Sequence, residues 1–493
     1  MGTLALLLIV LYGLGLAFIF CYSLIQLHLT FLYWRCRKQN SALGTATPLQ
    51  PLNLPLVTVQ LPVYNEKFVV ERLIDAIVAL DYPNDKLQIQ VLDDSEDETK
   101  TLVARKVAFY QQQGYNITQV LRPGRQGYKA GALQYALPLA TGEFIAIFDA
   151  DFLPSPDFLI KTVVEFKNPT VGVVQTRWGH LNENYSLLTQ LQAFGLNAHF
   201  TVEQTGRSCG GHFLNFNGTG GIWRKACIED AGGWQADTLT EDLDLSYRAQ
   251  LRHWQFRYLE FLEAPAELPV TMPAIKSQQF RWTKGAAENA RKNLGKVFRS
   301  DKPWLTKMHA LFHLGNSSVF VGVLLTGLLS LPVLFIQEFY PQWQAYYLSR
   351  ALFLISLAGL VAFYYTAYRQ SNQGARSGSR LLFLPRFFWF LTFSMGLSLH
   401  NALAVMEGYT GKKTPFIRTP KFNIRSNHDS WQQNPYRTAS INLLTVLEGI
   451  LAMYFLIGVF AGFYLHRYGL LPFHIMLTLG LGGVFFLTLK HSR

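Results

Sequence analysis

The chain has 493 residues, of which 49% are apolar and 15% charged, and its formal net charge is +12. The charged share lies well below the usual ~25% of a soluble domain, which argues against a wholly water-soluble protein and indicates membrane segments. The basic residues form no long run, so the positive charge gives little support to nucleic-acid binding.

Residues 3–34 form the first of several stretches that are almost free of charge. This stretch is long enough to cross a bilayer, which takes about 20 residues. It ends in Arg35, Arg37 and Lys38, so the positive-inside rule places this end in the cytoplasm. A cleaved signal peptide fits poorly, because the charges follow the apolar run and no small-residue cleavage site is clear. The mixed-polarity segment 55–300 is therefore predicted to be a cytoplasmic domain.

Four cysteines occur along the chain without paired spacing: Cys21, Cys36, Cys209 and Cys227. This pattern is typical of reduced thiols in a reducing compartment. It agrees with the cytoplasmic side that the charges indicate.

The segment after residue 55 alternates between β-rich apolar runs and helical patterns. Strands are predicted at 56–64, 87–93, 117–121 and 143–149, and a helix is predicted at 128–140. Strands that alternate with helices imply a parallel sheet with helices on both faces. Ligands of such sheets bind beyond the carboxyl ends of the strands.

Acidic and polar residues follow three of these strands: Asn65-Glu66, Asp93-Asp94, and Asp149 with Asp151. The strand ends meet at one edge of the sheet, which favours a binding site there. Strand alternation would point Asp149 and Asp151 the same way. Their oxygens suit Mg²⁺ or Mn²⁺, although an isolated D-x-D is more often a solvated strand end.

Helix caps are an alternative explanation for two of the acidic motifs. Ser95 and Glu98 have the spacing of a capping box, so the acids after the second strand would satisfy free backbone N–H groups. Thr240 is a good N-cap residue, and acids in the first turn of the following helix favour its dipole.

Two basic positions also have a structural alternative. Lys129 opens a helix, where a cation suits a phosphate, but an exposed lysine is equally ordinary. Arg281 and Trp282 in QQFRWTKG suit a diphosphate and a sugar ring, but they also suit a helix docked on the membrane interface.

Seven motifs occur in the order VQLPVYNE, VLDDSEDET, GYKAGAL, FDADF, FNGTGGIWR, TEDLDL and QQFRW. The chain thereby resembles the family-2 processive glycosyltransferases, which include cellulose, hyaluronan and chitin synthases, and most of all the plant cellulose synthase-like mannan and glucan synthases. The resemblance covers residues 55–300 motif by motif and continues more loosely to about residue 425. It implies an α/β GT-A-type, Rossmann-like cytoplasmic domain inserted between transmembrane α-helices of a multi-pass membrane protein.

The resemblance also implies a role for each motif. Asp242 is expected to be the catalytic base, with Glu241 beside it, and only the match to T-E-D favours Asp242 over Asp244. Asp149 and Asp151 are expected to hold Mg²⁺ or Mn²⁺, with Asp149 shared between metal and nucleotide. The other expected nucleotide-binding residues are Tyr64, Glu66, Asp94, Lys129, Gln278 and Arg281.

An acceptor site and a loop follow from the same resemblance. The expected acceptor-binding residues are Phe216, Asn217, Gly218, Thr219 and Trp282. The segment TPFIRTPK at 414–421 matches a cytoplasmic gating loop of the form F-x-V-T-x-K, from which its Arg and Pro depart. The expected gating residues are Phe416, Arg418, Thr419 and Lys421; a basic loop that touches lipid head groups explains them equally well.

The membrane part is predicted from apolar stretches and charge. Two transmembrane helices and interface helices are expected within 303–407, a cytoplasmic gating-type loop at 408–440, and two further transmembrane helices within 441–490. If 346–367 returns to the cytoplasm, Arg376 and Arg380 lie inside, as does the basic loop that contains Arg437. The stretch 381–407 is then expected to lie in the interface, with an ordinary sixth span as the alternative.

The expected function is inverting β-glycosyl transfer that extends a glucan or mannan, with β-1,4 linkage, from UDP-glucose or GDP-mannose and with coupled export. The expected partners are the donor, a polysaccharide or lipid acceptor and membrane lipid, without nucleic acid. The protein is expected in the plasma (inner) membrane. One alternative is transfer of one sugar to a lipid, as in ceramide glucosyltransferases. Another is a non-catalytic nucleotide-sugar sensor, for which broken acidic motifs would be expected.

Overall fold

A computed structural model of the protein describes residues 2–40, 54–339, 346–371, 381–426, 428–432, 436 and 441–492, without the side chains of 38–40 and 346–353. Three basic residues of the predicted cytoplasmic loops lie outside the described residues: Arg376, Arg380 and Arg437. The side chain of Lys38 also lies outside them.

A seven-stranded mixed sheet forms the centre of the domain, in the order β3-β2-β1-β4-β6-β5-β7. The strands are β1 (Val57–Val63), β2 (Leu87–Asp93), β3 (Ile117–Val120), β4 (Phe144–Ile147), β5 (Val171–His180), β6 (Gly221–Arg224) and β7 (Gln255–Ala266). Neighbouring strands are parallel, except that β6 is antiparallel to both β4 and β5. The first four strands agree with the predicted ones to within two residues at each end.

Ten helices accompany the sheet in the described residues 54–314. They are α2 (Val70–Val78), α3 (Thr99–Gln112), α4 (Tyr128–Ala136), α5 (Phe158–Val163), α6 (Leu187–Ala198), α7 (Gln204–Cys209), α8 (Lys225–Asp230), α9 (Glu241–Leu251), α10 (Met272–Arg299) and α11 (Trp304–Leu314). A π-helical turn, His199–Glu203, joins α6 to α7.

The apolar core lies on both faces of the sheet because side chains alternate along each strand. On β4, Phe144 and Ala146 pack into the cluster that contains Leu73 of α2 and Phe158 of α5. Ile145 and Ile147 pack into the opposite cluster with α4, α8 and α9. Helices therefore cover both faces, as predicted from the alternating pattern.

The reversed strand β6 determines which segments meet at the ligand-binding edge. Parallel strands present their carboxyl ends at that edge, whereas the antiparallel β6 presents its amino end. The glycine-rich segment 216–221 therefore arrives beside the residues that follow β4. Gly218 and Gly220 have φ values of +78° and +65°, which favour glycine, so the chain can turn into β6 there.

Seven further helices are long or strongly apolar: α1 (Thr3–Asn40), α12 (Ser318–Phe339), α13 (Tyr346–Ser371), α14 (Phe383–Gly396), α15 (Ser398–Thr410), α16 (Leu443–Tyr464) and α17 (Leu471–Ser492). In the described part of the chain, four helices are long and apolar enough to cross a membrane: Thr3–Arg37, Ser318–Phe339, Leu443–Tyr464 and Tyr468–Ser492. The helix α13, which was predicted to return across the membrane, is not among these four.

The stretch predicted to lie in the interface forms a bent helix pair, in which α14 and α15 meet at 51°. Counted as one span, this pair would be a fifth candidate. Gly396 at the end of α14 lies against Gly480 of α17, and a Cβ on Gly396 would come within 2.3 Å of the Gly480 carbonyl oxygen. The absence of side chains lets the two backbones touch, which holds the bend against α17.

A disulfide bond joins Cys36, near the end of α1, to Cys209 at the end of α7, with the Cα atoms 6.0 Å apart. The prediction of reduced thiols is therefore wrong for this pair, whereas Cys21 and Cys227 are free. The two positions are 173 residues apart and meet only because α1 continues beyond its apolar part and packs on α7. The cysteines thus give no support to a reducing compartment.

Candidate active site

A pocket lies at the ligand-binding edge of the sheet, where segments from the whole domain converge. Its lining includes most of the predicted site residues: Tyr64, Glu66, Asp94, Lys129, Asp149, Asp151, Asn217, Gly218, Glu241, Asp242, Gln278, Arg281, Trp282, Phe416, Arg418, Thr419 and Lys421. Its volume is about 200 Å³, smaller than the roughly 300–1,000 Å³ of many ligand pockets. Side chains of the loop 416–421 occupy part of the space.

Asp149 follows β4 and interacts with two neighbouring segments. Its carboxylate accepts a hydrogen bond from Lys129 Nζ at 2.5 Å, and the same ammonium donates to the Gly218 carbonyl at 2.8 Å. Its backbone N–H donates to Thr219 Oγ1 at 2.9 Å. Burial lowers the pKa of Lys129, but Asp149 and Glu241 outweigh it and raise the pKa above its usual value. The lysine is therefore a fixed cation beside Asp149.

Asp151 is 2% exposed and lies deeper than Asp149. One carboxylate oxygen pairs with the Lys421 ammonium, and the other accepts the Glu267 N–H at 3.3 Å. Burial lowers the pKa of Lys421, while Asp151 and Glu66 raise it to a net value above normal. A positive charge is thus held at the carboxylate that was predicted to bind a metal.

Glu66 follows β1 and is 6% exposed. It forms an ion pair with Arg418 of the loop at 2.7 Å. Burial raises the pKa of Glu66 to about 7, although Arg418 and Lys421 oppose this shift. The turn before it is shaped by Asn65, which has a positive φ of 54° and a backbone N–H that donates to Ser95 Oγ at 2.9 Å.

The second acidic pair does not form the capping box that was the alternative prediction. Ser95 Oγ is bonded to the Asn65 backbone, and α3 begins only at Thr99. Asp94 instead forms a two-pronged ion pair with Arg122, whose Nε and Nη2 lie 2.8 and 2.6 Å from the carboxylate oxygens. Asp93 is buried and accepts the Ser95 N–H at 2.9 Å. Only Asp94 lines the pocket.

Glu241 and Asp242 form the first turn of α9 and face the pocket. Burial and the neighbouring Glu241 together raise the pKa of Asp242 to about 7, although Lys129 opposes the shift. Burial likewise raises the pKa of Glu241, which Lys129 opposes. A Cβ on Gly218 would lie 3.0 Å from Asp242 Oδ2, so the glycine leaves the carboxylate open on that side.

Thr240 precedes α9 but makes no side-chain cap to it. Its hydroxyl instead accepts a hydrogen bond from Asn289 of α10 at 3.0 Å, which ties the start of α9 to α10. Asp244 is fully buried and is bound by Arg248 at 2.8 Å and Lys292 at 3.0 Å. The geometry therefore separates the two aspartates, with Asp242 at the pocket and Asp244 in a structural ion-pair network.

Helix α10 carries Arg281 and Trp282 into the pocket rather than to an outer surface. Arg281 donates to Thr419 Oγ1 at 2.7 Å, and its guanidinium lies 4.7 Å from the ring centre of Phe416. Burial lowers the pKa of Arg281, and the nearby acids oppose this. The indole of Trp282 lies 6.5 Å from that of Trp178, so the pocket has an aromatic wall.

The loop 414–421 closes the pocket through contacts with several parts of the domain. Besides the contacts of Arg418, Thr419 and Lys421, Phe416 stacks on Tyr128 with ring centres 5.5 Å apart. The carboxylate of Glu267 accepts the backbone N–H groups of the two residues that follow the loop, each at 2.9 Å. The described part of the loop thus lies on the pocket, not on an outer basic surface.

Two predicted acceptor residues do not line the pocket. Phe216 is fully buried and packs on Trp223, with ring centres 5.4 Å apart, in the core beneath α9. Thr219 is fully buried and holds the backbone of Asp149. The glycine-rich segment alternates between core and pocket, so only Asn217 and Gly218 reach the cavity.

Sequence reasoning missed several residues of the site. Among them are the lining residues Arg125, Trp178 and Glu267, and also Arg122, which lies behind the lining and holds Asp94. Arg125 lies 3.3 Å above the ring centre of Tyr64. Both arginines belong to the segment RPGR after β3, and a basic, glycine-containing turn after a parallel strand is a signal that could have found them. Glu267 directly follows β7, which was not predicted as a strand.

The acidic residues fit a divalent cation. Asp149 and Asp151 are hard oxygen donors, and each is matched by an ammonium group, from Lys129 and Lys421 respectively. The lysines show that this part of the pocket accommodates positive charge. Carboxylates with substrate phosphates completing the shell are the ligands that Mg²⁺ and Mn²⁺ prefer.

Comparison with known proteins identifies the family to which the chain belongs. Residues 55–285 match the model of the glycosyltransferase-like family 2. Glucomannan 4-beta-mannosyltransferase 1 of Oryza sativa subsp. japonica is 35% identical over 380 residues, which are 74% of this chain and 69% of that protein. The chain belongs to glycosyltransferase family 2. The predicted family, with its cellulose synthase-like relatives, is confirmed.

Two other relatives match this chain over shorter stretches. Glucomannan 4-beta-mannosyltransferase 7 of Arabidopsis thaliana is 38% identical over 340 residues, which are 67% of this chain and 60% of that protein. Glucomannan 4-beta-mannosyltransferase 2 of Arabidopsis thaliana is 45% identical over 255 residues, 51% of this chain and 48% of that protein. The chain thus spans less than two thirds of the length of these two relatives.

A solved structure shares the fold of this glycosyltransferase. It is a mannosyltransferase from Pyrobaculum calidifontis in complex with GDP-Man and Mn²⁺, with a TM-score of 0.52 and 20% sequence identity. The match covers 81% of this chain and 100% of that one. The predicted GT-A-type fold is confirmed.

Proposed function

We propose that this protein is an inverting β-glycosyltransferase that extends a mannan-type polysaccharide from a nucleotide sugar. The observation that carries the proposal is one pocket in which Asp242, with a pKa of about 7, lies together with Asp149, Asp151 and the cations Lys129 and Arg281. A carboxyl group with a pKa near the working pH suits a general base. Acids and cations that line the same cavity suit a diphosphate and the metal ion that accompanies it.

Asp242 takes the proton from the acceptor hydroxyl in this mechanism. The hydroxyl oxygen forms a bond to the anomeric carbon as the bond from that carbon to the diphosphate oxygen breaks, and the diphosphate leaves with the electron pair. Arg281 and Lys129 offset the developing negative charge. A divalent cation held by Asp149 and Asp151 would supply further electrostatic stabilisation of the leaving group when bound.

The remaining lining residues position the two substrates. Tyr64, Glu66, Asp94 and Gln278 are assigned to the nucleotide side of the pocket. Asn217, Gly218 and Trp282 are assigned to the acceptor side, where an indole face packs on a sugar ring. The loop residues Phe416, Arg418, Thr419 and Lys421 close over the diphosphate and exclude water.

GDP-mannose is proposed as the donor in preference to UDP-glucose. The relatives are named as glucomannan 4-beta-mannosyltransferases, and the protein of similar fold was solved with GDP-Man and Mn²⁺. The names of the relatives also favour β-1,4 linkage. Mn²⁺ or Mg²⁺ is proposed as the cofactor, held by the two aspartates after β4.

The proposed location is the plasma (inner) membrane, with the catalytic domain on the cytoplasmic side and the product exported through the membrane helices. The four candidate spans and the cations that follow the apolar part of α1 support this arrangement. Disulfides such as Cys36–Cys209 are uncommon in cytosolic proteins, so this bond does not support the cytoplasmic placement. Labelling of cysteines introduced at exposed positions of the domain with a membrane-impermeant reagent tests the orientation, and labelling only after the membranes are permeabilised is expected.

The experiment that tests the function uses membranes that contain the full chain, with radiolabelled GDP-mannose and UDP-glucose offered separately. A long, mannanase-sensitive product from GDP-mannose is expected. A glycolipid that carries one added sugar would replace the polymerase with a lipid glycosyltransferase, and transfer from UDP-glucose alone would overturn the donor. Asp242→Asn should lower transfer at least about 100-fold while nucleotide binding persists. Binding without transfer in the unaltered protein would indicate a sensor.

A further inference from the structure

A π-helical turn lies between α6 and α7, close to the pocket. The turn covers His199–Glu203, and four of its five residues are buried. Its first residue, His199, is the exception, with a side chain that is 27% exposed. Leu196, one turn earlier on α6, lines the pocket. Because π-helical turns are rare and are frequently found at functional sites, the histidine that this turn presents is a candidate for a role in the reaction.

Contacts with two strands fix this turn behind the aromatic wall of the pocket. The ring of Phe200 stacks on that of Trp178 of β5, with ring centres 4.9 Å apart. The Phe200 carbonyl accepts a hydrogen bond from the hydroxyl of Tyr258 on β7. Trp178 itself lines the pocket. The turn is therefore held by β5 and β7, which gives His199 a firm support.

The imidazole of His199 lies between two oxygen atoms. Its Nδ1 is 3.0 Å from a carboxylate oxygen of Glu203, and its Nε2 is 3.3 Å from the side-chain oxygen of Asn217. The other carboxylate oxygen of Glu203 accepts two hydrogen bonds from Arg207, at 3.1 and 2.9 Å. Burial raises the pKa of Glu203, but Arg207 and His199 outweigh it and hold the pKa below its usual range. The ionised carboxylate orients the ring, and a proton on each ring nitrogen lets the ring donate on both sides.

The amide of Asn217 is oriented by several donors. Its oxygen accepts side-chain N–H groups of Asn215 at 2.6 Å and of Gln204 at 3.3 Å, besides the contact from His199. Its backbone N–H donates to the Gln175 side chain at 2.9 Å. In the described part of the chain, the amide nitrogen of Asn217 makes one contact, to the Asn215 carbonyl at 3.5 Å, which is close to the upper limit for a hydrogen bond. The oxygen is thus used by the protein, and the nitrogen is left to donate to a ligand in the pocket that Asn217 lines.

We propose that His199, oriented by Glu203, is a positioning residue for the acceptor sugar. It holds the amide of Asn217 so that the amide nitrogen donates to a hydroxyl oxygen at the end of a β-mannoside chain. Gly218, the next residue, lies beside the proposed base, because a Cβ on this glycine would be 3.0 Å from Asp242 Oδ2. A sugar bound to Asn217 therefore has its neighbouring hydroxyl groups near that base. The inference rests on the proposed function, and it assigns the histidine to orienting the acceptor sugar rather than to binding the donor.

The test measures transfer from radiolabelled GDP-mannose to β-1,4-mannohexaose by the full chain in detergent, together with the release of GDP when water replaces the acceptor sugar. His199→Asn keeps an amide near Glu203 but does not reach Asn217, so it should raise the KM of the oligosaccharide about tenfold. His199→Gln places its amide nitrogen near the position of Nε2, so this KM should remain within about threefold of that of the unaltered protein. The KM of GDP-mannose and the rate of GDP release should stay unchanged in both variants.

A double variant tests whether His199 acts through Asn217. Asn217→Ala should raise the KM of the oligosaccharide, and the addition of His199→Asn should raise it no further, because the two residues form one contact. His253→Asn alters an exposed histidine outside this network and should leave all values unchanged. Multiplied effects in the double variant, an equal loss in His199→Asn and His199→Gln, or a parallel fall in GDP release would overturn the inference.

The same assay separates this inference from the proposed function. If the unaltered protein transfers sugar and His199→Asn leaves the KM of the oligosaccharide unchanged, the positioning role alone is wrong. If the unaltered protein transfers no sugar from either GDP-mannose or UDP-glucose, the proposed function is wrong, and the positioning role is overturned with it.

Discussion

The pKa of Asp242 makes a specific prediction about the pH dependence of transfer. Burial and the neighbouring Glu241 raise this pKa to about 7, so the carboxyl is largely protonated below neutral pH. A base must be ionised to accept the acceptor proton, so activity should rise as the pH increases through the pKa. An aspartate with an unshifted pKa would be ionised throughout the neutral pH range. Its activity profile would therefore lack this rise with pH, which is called the acidic limb below.

The size of the effect follows from the titration of a single group. With a pKa of about 7, about one tenth of the Asp242 carboxyl groups are ionised at pH 6 and about nine tenths at pH 8. The value of kcat/KM for the donor should therefore fall about tenfold from pH 8 to pH 6, with a slope of one on a logarithmic plot below the pKa. The measurement is initial-rate transfer at saturating Mn²⁺ and constant ionic strength.

Two variants separate Asp242 from the other titrating carboxyl of the pocket. Glu241→Gln removes a like charge and should move the limb to lower pH. Glu66→Gln removes a group whose pKa is also about 7 and should leave the limb in place. A flat profile between pH 5.5 and 8 in the unaltered protein, or a limb that disappears in Glu66→Gln, would refute the assignment of the base.

Three further predictions concern the ion pairs. Asp151→Asn should abolish metal-dependent transfer in a Mn²⁺ titration, as should removal of the metal by EDTA. Lys421→Met frees Asp151 from its ion pair, so it should lower the Mn²⁺ concentration for half-maximal activity while raising the KM of the donor, because the loop closes less well. Lys276→Met leaves the buried carboxylate of Glu448 unpaired, so it should destabilise the protein by about 3 kcal/mol, measured by thermal unfolding in detergent.

An exposed ion pair provides matched controls for these variants. Asp157 and Lys161 form a salt bridge in which both side chains are largely accessible. Asp157→Asn and Lys161→Met should therefore change activity and stability little, since surface pairs contribute at most about 1 kcal/mol. Transfer by Asp151→Asn at normal Mn²⁺ dependence would contradict the metal site. For Lys276→Met, addition of Glu448→Leu should restore stability, and a failure to do so would contradict the ion-pair explanation.

Local patterns were sufficient to predict the first half of the sheet. β1, β2 and β4 are short apolar runs followed by polar residues, and that contrast marks where each strand ends. The later strands were not predicted, because β6 has only four residues after a glycine-rich turn and the middle of β7 is charged. The reversal of β6 depends on packing between distant segments, which periodicity does not encode.

In the site, too, local patterns could not predict what depends on contacts between distant residues. Asp242 was separated from Asp244 only by resemblance, whereas the structure shows why they differ: one faces the pocket and the other is held by Arg248 and Lys292. The pairing of Lys421 with Asp151 joins residues that are far apart in the sequence and has no local signal. The bond between Cys36 and Cys209 escaped prediction for the same reason.

The loop over the pocket has a consequence for the biogenesis of the protein. Arg72, in the first helix after β1, contacts Asn423 at a separation of 351 residues, and Glu66 and Asp151 depend similarly on Arg418 and Lys421. During translation the domain emerges after α1 and can fold while the later segments are still being made. The lining of its pocket therefore remains incomplete until the loop 414–421, which follows α15, has left the ribosome.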